Sequence, residues 1–491
     1  MPQNSRPHVL LITVDQWPGS LMGCAGHPVV MTPTLDQLAA SGVRFSNAYS
    51  ECPVCVPARR TLLTGLTPAT HGCRDNKQKP MPPVNSLAQA FRDAGYQAYA
   101  VGKMHLMNQR DRAGFDDIWG DEEGRAGEGI MQDDYELFLG DNGYAGQRFA
   151  GGMNNNQYCW RPWHLPEPLH VTNWAAAQMC RMIKRRDKSR PGLWYLSFSH
   201  PHPPLAPLQA YLDMYRDKEP PAPYVGDWAK LDDKTPLRVA ERIYQKFAPA
   251  AHEIADVRRA FYALCTHIDH QIRTVIGTLR DEGLLDNTVI LFTADHGDML
   301  GNHNYWAKDM MNEDSACVPM ILCGKPIHES TGDHRVDERL VGLADVLPTL
   351  LHAAGLEVPE HCEGQSMLGG AARESIFCEW GYEQRANLMV RDARYKLIYF
   401  PRANQRLLFD MEADPRELCN LAGKPETAEI QLQLERLLIA RLSPEQAEAW
   451  VSGGRLAGLP AGELPKRWPT FGLEGQRGAH WPPPAGRPAG F

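Results

Sequence analysis

Four short apolar runs, at residues 9–14, 98–101, 193–198 and 289–292, constrain the fold more than any other feature of this chain. Each is too short for a buried helix and too continuously apolar for a strand with one wet face, so each reads as a strand of a parallel sheet covered on both sides. Helical patterns at 34–40, 86–94 and 257–280 lie between them and supply the covers. In the last, Phe261, Leu264, Ile268, Ile272, Val275 and Leu279 recur at helical spacing. The expected core is therefore α/β with helices on both faces, and its chemistry belongs at the C-terminal ends of the strands.

A chain of 491 residues predicts about two or three units. A helix is expected at 340–354, and the composition then changes over 355–370, which we take as a boundary. Beyond it, strand-like 388–390, 395–400 and 407–409, a turn at Asp414-Pro415 and a helix at 429–442 make a small sheet with one helix on it. The expected division is 1–370 for the catalytic α/β domain, 371–450 for the small sheet-plus-helix domain and 451–491 for an extended Gly/Pro-rich tail. With Trp468 and Trp481, that tail reads either as an arm on another subunit, giving a homo-oligomer, or as disordered chain. Two irregular stretches, 120–168 and 201–250, are expected to cover the site and select substrates.

The net charge is −8 with no basic tract, which excludes a nucleic-acid partner, and no apolar run is long enough to span a membrane. The first seven residues lead directly into a strand, so export by a signal peptide is not expected. Twelve cysteines are scattered from Cys24 to Cys419 without the spacing of a disulfide scaffold. They point to reduced thiols and a cytoplasmic location.

Cys55-Val56-Pro57-Ala58-Arg59 is the most distinctive local motif. With Cys52 it also makes a C-x-x-C, which by itself suits a redox pair or half a zinc site. No second C-x-x-C follows, and a redox pair explains neither Pro57 nor Arg59. Pro57 suits the first turn of a helix over 58–63, which puts Cys55 at a helix N-terminus, where free N–H groups favour an anion. Far along the chain, the first and last apolar runs are followed by Asp15-Gln16 and Asp295-His296. Either pair alone reads as a cap or a turn. Together they are an oxygen-rich set with one imidazole, suited to one divalent cation.

These residues and their order resemble the type I sulfatases of the alkaline phosphatase superfamily, whose C-x-P-x-R cysteine is oxidised by a maturation enzyme to Cα-formylglycine. The likeness runs from about residue 7 to 421 and includes Asp295-His296-Gly297-Asp298-Met299-Leu300-Gly301 and Arg394-Tyr395-Lys396-Leu397. It implies a large mixed, mostly parallel sheet sandwiched by helices, with a smaller C-terminal α+β domain. It also implies a formylglycine hydrate at position 55, one hydroxyl attacking sulfur while the other remains to expel sulfate. The metal set would be Asp15, Gln16, residue 55, Asp295 and His296. Many sulfatases have Asp and Asn where this chain has Gln16 and His296. The Asp-Gln/Asp-His set is similar to that of phosphonate monoester hydrolases and some bacterial sulfatases, which makes Mn2+ a rival to Ca2+.

Gly102-Lys103-Met104-His105 resembles the family's G-K-x-H element and Pro201-His202-Pro203-Pro204 its P-H-x-P element. By resemblance Lys103 neutralises sulfate, His105 takes a proton from the second hydroxyl, His202 meets the leaving oxygen, and Lys308 bridges sulfate and leaving group. Arg59 holds the formylglycine loop, and Asn76 is the substrate-side asparagine, although a plain turn explains Asn76 as well. The expected activity is hydrolysis of a sulfate monoester. The alternatives are a phosphonate monoester or phosphodiester hydrolase with the same nucleophile, and a binding protein that keeps Cys55 as a thiol.

Overall fold

The structure is a computed structural model that describes residues 6–76, 79–124, 133–153, 158–245, 249–370 and 372–462. Its centre is an eight-stranded sheet of β1 (His8–Asp15), β2 (Gly42–Tyr49), β3 (Gln97–Gly102), β4 (Asp117–Gly120), β5 (Gly192–Pro201), β6 (Thr288–Ala294), β7 (Met320–Cys323) and β8 (Arg335–Gly342). The order across the sheet is β4-β3-β5-β1-β6-β7-β2-β8. Only β7 runs against its neighbours, lying antiparallel to β6 and to β2. The four apolar runs fall within β1, β3, β5 and β6, which are consecutive neighbours and mutually parallel. Their C-terminal ends therefore form one row, and the polar residues that follow each strand meet there.

Helices cover the sheet as the periodicity predicts. Pro33–Ala40, Leu87–Asp93 and Ile254–Asp281 match the three expected helices, and Phe261, Leu264, Ile268, Ile272, Val275 and Leu279 are all buried. One expectation needs correcting. Residues 340–342 are not helical but finish β8, a single 3-10 turn occupies Leu343–Asp345, and the helix is Val346–Ala353. The physical reason is local: Gly342 donates its N–H to Asp345 Oδ2 at 2.8 Å, while Leu343 and Ala344 donate to the Glu51 carboxylate at 3.0 and 3.1 Å, so the chain is capped before it can coil. The irregular stretches also hold short helices, Asp134–Asp141 in the first and Gln209–Asp213 and Leu237–Gln245 in the second.

The C-terminal part is an antiparallel sheet of β9 (Ile376–Trp380), β10 (Asn387–Arg391), β11 (Tyr395–Phe400) and β12 (Gln405–Asp410), in the order β12-β11-β10-β9. One face, with Cys378, Met389, Ile398 and Phe409, packs on Tyr49, Trp228, Met299 and Tyr305 of the larger part. The other, with Leu388, Val390, Leu397 and Leu408, is covered by Leu434 and Leu438 of the helix Ala428–Ile439. Alternating strand residues thus serve two interiors.

Residues 451–462 turn back onto this small sheet rather than extending away. Leu456 is buried in the cluster with Leu434 and Leu438, and Leu459 donates its N–H to the Pro401 carbonyl at 2.7 Å. The rest of the tail, with Trp468 and Trp481, lies outside the described residues. Among the described residues no helix is long and apolar enough to cross a membrane.

Candidate active site

Cys55 opens the ten-residue helix Cys55–Thr64, every residue of which is buried. Val54 precedes it in extended backbone and offers no side-chain cap. The cap comes from a distance, as Asn76 Oδ1 accepts the Val56 N–H at 3.0 Å. Asn76 is itself exposed, so its carboxamide serves the helix end. Pro57 lies in the first turn, where its missing N–H costs nothing. Arg59, four residues after Cys55, projects from the same helical face.

That face meets the row of strand ends. Asp15 ends β1, and Asp295 follows β6 and donates its N–H to the Val14 carbonyl at 3.2 Å. Asp15, Cys55, Asp295 and His296, all buried, place one ligand atom each within 4.8 Å of one another. Cys55 Sγ stands 3.2 Å from His296 Nε2 and 3.9 Å from Asp15 Oδ1. His296 Nδ1 lies 2.9 Å from the Gly297 carbonyl, to which it donates, so Nε2 turns its lone pair inward. Arg59 holds the carboxylates from behind: Nε donates to Asp295 Oδ2 at 2.9 Å and a terminal nitrogen to Asp15 Oδ2 at 3.1 Å. Its remaining terminal nitrogen donates to the Lys103 carbonyl and to Ser197 Oγ, each at 2.7 Å.

Lys103 follows β3, is fully buried, and points its ammonium at Asp15 Oδ2 (2.5 Å) and Glu123 Oε1 (2.9 Å). His105 Nε2 is 3.7 Å from Glu123 Oε2, and His202 Nδ1 is 3.4 Å from Glu123 Oε1 and 2.7 Å from the Pro203 carbonyl. Lys308 donates to Gln16 Oε1. Gln16 Nε2 donates in turn to Tyr158 Oη (2.8 Å) and Asp298 Oδ2 (2.6 Å). The Gln16 carboxamide thus faces Lys308 and Asp298, and its backbone N–H donates to Asp295 Oδ1 at 3.1 Å. Beside His202 and Glu123 a cavity opens, walled by the rings of Tyr135, Phe149 and Trp163 and also by the polar side chains of Arg148, His164 and His200.

The charges shift one another strongly. Burial raises the Asp15 carboxyl, but Lys103, His202, Arg59 and His296 outweigh it and hold it well below the usual range. Burial and Asp15 push the Cys55 thiol up, while Lys308, Lys103 and His296 pull harder and bring it down to about 7. Burial, then Lys308 and Lys103, hold His202 well below the ordinary imidazole value against the pull of Glu123. His296 goes the other way: burial lowers it, but Asp295 and Cys55 raise it above the ordinary value.

The sequence reasoning passed over Glu122, Glu123, Ser197, Asp298 and Tyr158. Asp298 stood inside the quoted run after β6, and Ser197 is a polar residue within an apolar strand, which is a usable signal. Glu123 carried none, since an acidic pair in an irregular stretch ordinarily reads as solvated surface.

A family model described as "Sulfatase" matches residues 7–356, and one described as "N-sulphoglucosamine sulphohydrolase, C-terminal" matches 301–443. An arylsulfatase of Clostridium perfringens is 33% identical over 485 residues, covering 94% of this chain and 99% of that protein. A choline-sulfatase of Rhizobium meliloti is 32% identical, covering 86% of this chain and 83% of that protein. Among solved structures, a phosphonate monoester hydrolase of Agrobacterium radiobacter superposes with a TM-score of 0.75 at 25% identity, covering 87% of this chain and 94% of that one.

Proposed function

The chain belongs to the sulfatase family and is a sulfuric ester hydrolase, and we propose that it acts on aryl-type sulfate monoesters through a formylglycine hydrate at residue 55. The observation that carries this reading is the convergence of Asp15, Cys55, Asp295 and His296 within 4.8 Å at a helix N-terminus. Two carboxylates, an inward imidazole lone pair and the side chain of residue 55 fit one divalent cation, Ca2+ or Mn2+. Sγ marks where a hydrate oxygen would lie. Gln16 joins that set if its carboxamide oxygen turns from Lys308. When bound, the cation supplies charge that favours the ionised hydrate and the equatorial oxygens of sulfate.

The remaining steps belong to the chain's own residues. Arg59 fixes the outer oxygens of Asp15 and Asp295; the inner oxygen of Asp15 faces Cys55 Sγ at 3.9 Å, and that of Asp295 accepts the backbone N–H groups of Gln16 and His296 at 3.1 and 2.9 Å. Lys103 and Lys308 flank the position of the transferred sulfuryl group and offset its charge. His202 starts neutral, with Nδ1 donating to the Pro203 carbonyl. The negative charge of an incoming sulfate offsets Lys308 and Lys103 and raises the proton affinity of Nε2, where the proton for the leaving oxygen is carried. His105 accepts the proton of the second hydroxyl, which expels sulfate and restores the aldehyde. The aromatic cavity beside His202 supports an aryl leaving group.

A second reading, hydrolysis of phosphonate monoesters or phosphodiesters by the same groups, is supported by the likeness to the Agrobacterium radiobacter enzyme and is compatible with the Asp-Gln/Asp-His set, which resembles those hydrolases no more than it does some bacterial sulfatases. A panel of aryl sulfates, sugar sulfates, choline sulfate and an aryl phosphonate, given to protein made with a formylglycine-generating enzyme as partner, tests both. We expect the highest kcat/KM on an aryl sulfate. A strong phosphonate preference overturns the sulfate reading. A cytoplasmic location and a homo-oligomer remain part of the proposal, supported by cysteine spacing and by the composition of the tail.

A further inference from the structure

We infer that Glu123 sets how much negative charge the site accepts, admitting monoanionic sulfate esters, phosphonate monoesters and phosphodiesters while rejecting dianionic phosphate monoesters. The inference rests on the reading of Lys103 and His202 as the groups that receive the transferred oxyanion. Glu123 is 6% exposed, and its carboxylate stands beside both, 2.9 Å from Lys103 Nζ and 3.4 Å from His202 Nδ1, and 3.7 Å from His105 Nε2.

This carboxylate is held in a built position. The Glu123 backbone adopts a left-handed φ of 56°, uncommon for a glutamate, and its N–H donates to Asp121 Oδ1 at 3.2 Å. Its neighbour Glu122 accepts the backbone N–H groups of Met104 and His105 at 3.0 and 2.9 Å and donates its own N–H to Asp133 Oδ2 at 2.8 Å. One glutamate therefore fastens the backbone of the Lys103–His105 element, and the next faces its side chains.

The consequence is electrostatic. The single charge of Lys103 is already shared between Asp15 at 2.5 Å and Glu123 at 2.9 Å. Little of it remains to balance a second negative charge on a substrate, and in a buried site neither water nor salt screens the excess. A sulfate monoester carries one charge, as do a phosphonate monoester and a phosphodiester. A phosphate monoester in alkaline solution carries two, and its extra charge falls beside a fixed carboxylate.

The test compares kcat/KM for an aryl sulfate, an aryl phosphonate monoester and an aryl phosphate in mild alkali, using mature full-length wild type, Glu123→Gln and Glu123→Asp. In Glu123→Gln the ratio of phosphate to sulfate turnover is expected to rise about tenfold or more, with the phosphonate ratio little changed and the Asp variant moving back toward wild type. An unchanged phosphate-to-sulfate ratio in Glu123→Gln, with all three activities falling together, makes Glu123 a structural residue and overturns the inference. Competition by inorganic sulfate and phosphate reads the same discrimination as binding. If wild type turns over no sulfate ester, the proposed function fails, and a Glu123→Gln shift toward phosphate binding still upholds the charge selection. No shift in binding overturns that too.

Discussion

Arg59 is the residue on which the site's geometry turns, because its planar fork reaches Asp15, Asp295, Ser197 and the Lys103 carbonyl at once. A lysine keeps the charge and loses the fork. Arg59→Lys is expected to lower kcat about a hundredfold through misplaced carboxylates and to destabilise the fold by about 3 kcal/mol through imperfectly paired buried charge. Steady-state kinetics and urea unfolding check both, and a variant within twofold of wild type in kcat contradicts the role. A second residue gives a pH signature. Burial and neighbouring Asp345 raise the Glu51 carboxyl from 4.5 to about 7, beyond what its backbone N–H donors can offset. A raised carboxyl binds its proton more tightly when folded, so its stabilisation is complete below the unfolded value and is lost as pH rises through 7. The amount at stake is about 3 kcal/mol. Against Glu51→Gln, the stability difference should therefore change between about pH 5 and 7 and be flat in alkali; a difference independent of pH contradicts it. Residue by residue, Cys55, Asp15, Asp295 and His296 could be singled out because each opens or closely follows an element with a clear pattern, and Arg59 because it lies one helical turn beyond Cys55; the fold brings the five together. Glu123 and Tyr158 were not, because both sit in an irregular stretch without a period, where an acid or a tyrosine reads as surface.

At the scale of elements, the site is made by the ends of β1, β3, β5 and β6 meeting one helix N-terminus. Gly102 shows how little room that junction allows. Its φ is 102°, and a Cβ there would stand 1.8 Å from the Ser197 carbonyl oxygen on β5. Gly102→Ala is thus expected to cost about 3 kcal/mol or more and to displace Lys103, raising KM for sulfate esters along with lowering the unfolding midpoint. An alanine variant with wild-type stability and KM contradicts that account. The strands that the sequence revealed are those buried on both faces. β2 and β8 escaped notice because they mix polar and apolar residues; β8 is the edge strand, with Val336 exposed, and β2 lies just inside it, between β7 and β8. β4 and β7 are only four residues long, too short for any period to register. The helix boundary near 340 was misjudged because a cap supplied by Glu51, almost 300 positions earlier, has no local signal.

Across the whole molecule, the C-terminal sheet is tied to the larger part by buried charge as well as by packing. Lys396 on β11 lies fully buried between Glu313 (2.9 Å) and Glu417 (2.8 Å), and Asn387 on β10 donates to the Asp309 carbonyl at 3.1 Å, next to Lys308. Replacing Lys396 by methionine removes the ammonium from between two buried carboxylates, leaving Glu313 only the Arg391 cation at 3.5 Å, and should cost about 3–5 kcal/mol, read as a lower denaturant midpoint. An unchanged midpoint contradicts a role in docking the two parts. Removing the cation from mature enzyme with a chelator should lower the thermal midpoint and abolish sulfatase activity, with Ca2+ or Mn2+ restoring both; activity that survives chelation contradicts the metal reading. The small C-terminal sheet with one helix was readable from the strand-like runs at 388–390, 395–400 and 407–409 and the helical pattern at 429–442, whereas the fold-back of 451–462 was hidden by its Gly-rich sequence. The most direct measurement for the central claim is mass spectrometry of the peptide containing residue 55, from protein made with its maturation partner, beside the sulfatase rate of the same sample. The account predicts an aldehyde in place of the thiol, in a fraction that scales with the rate. Full activity in a sample whose residue 55 is cysteine in every molecule contradicts it.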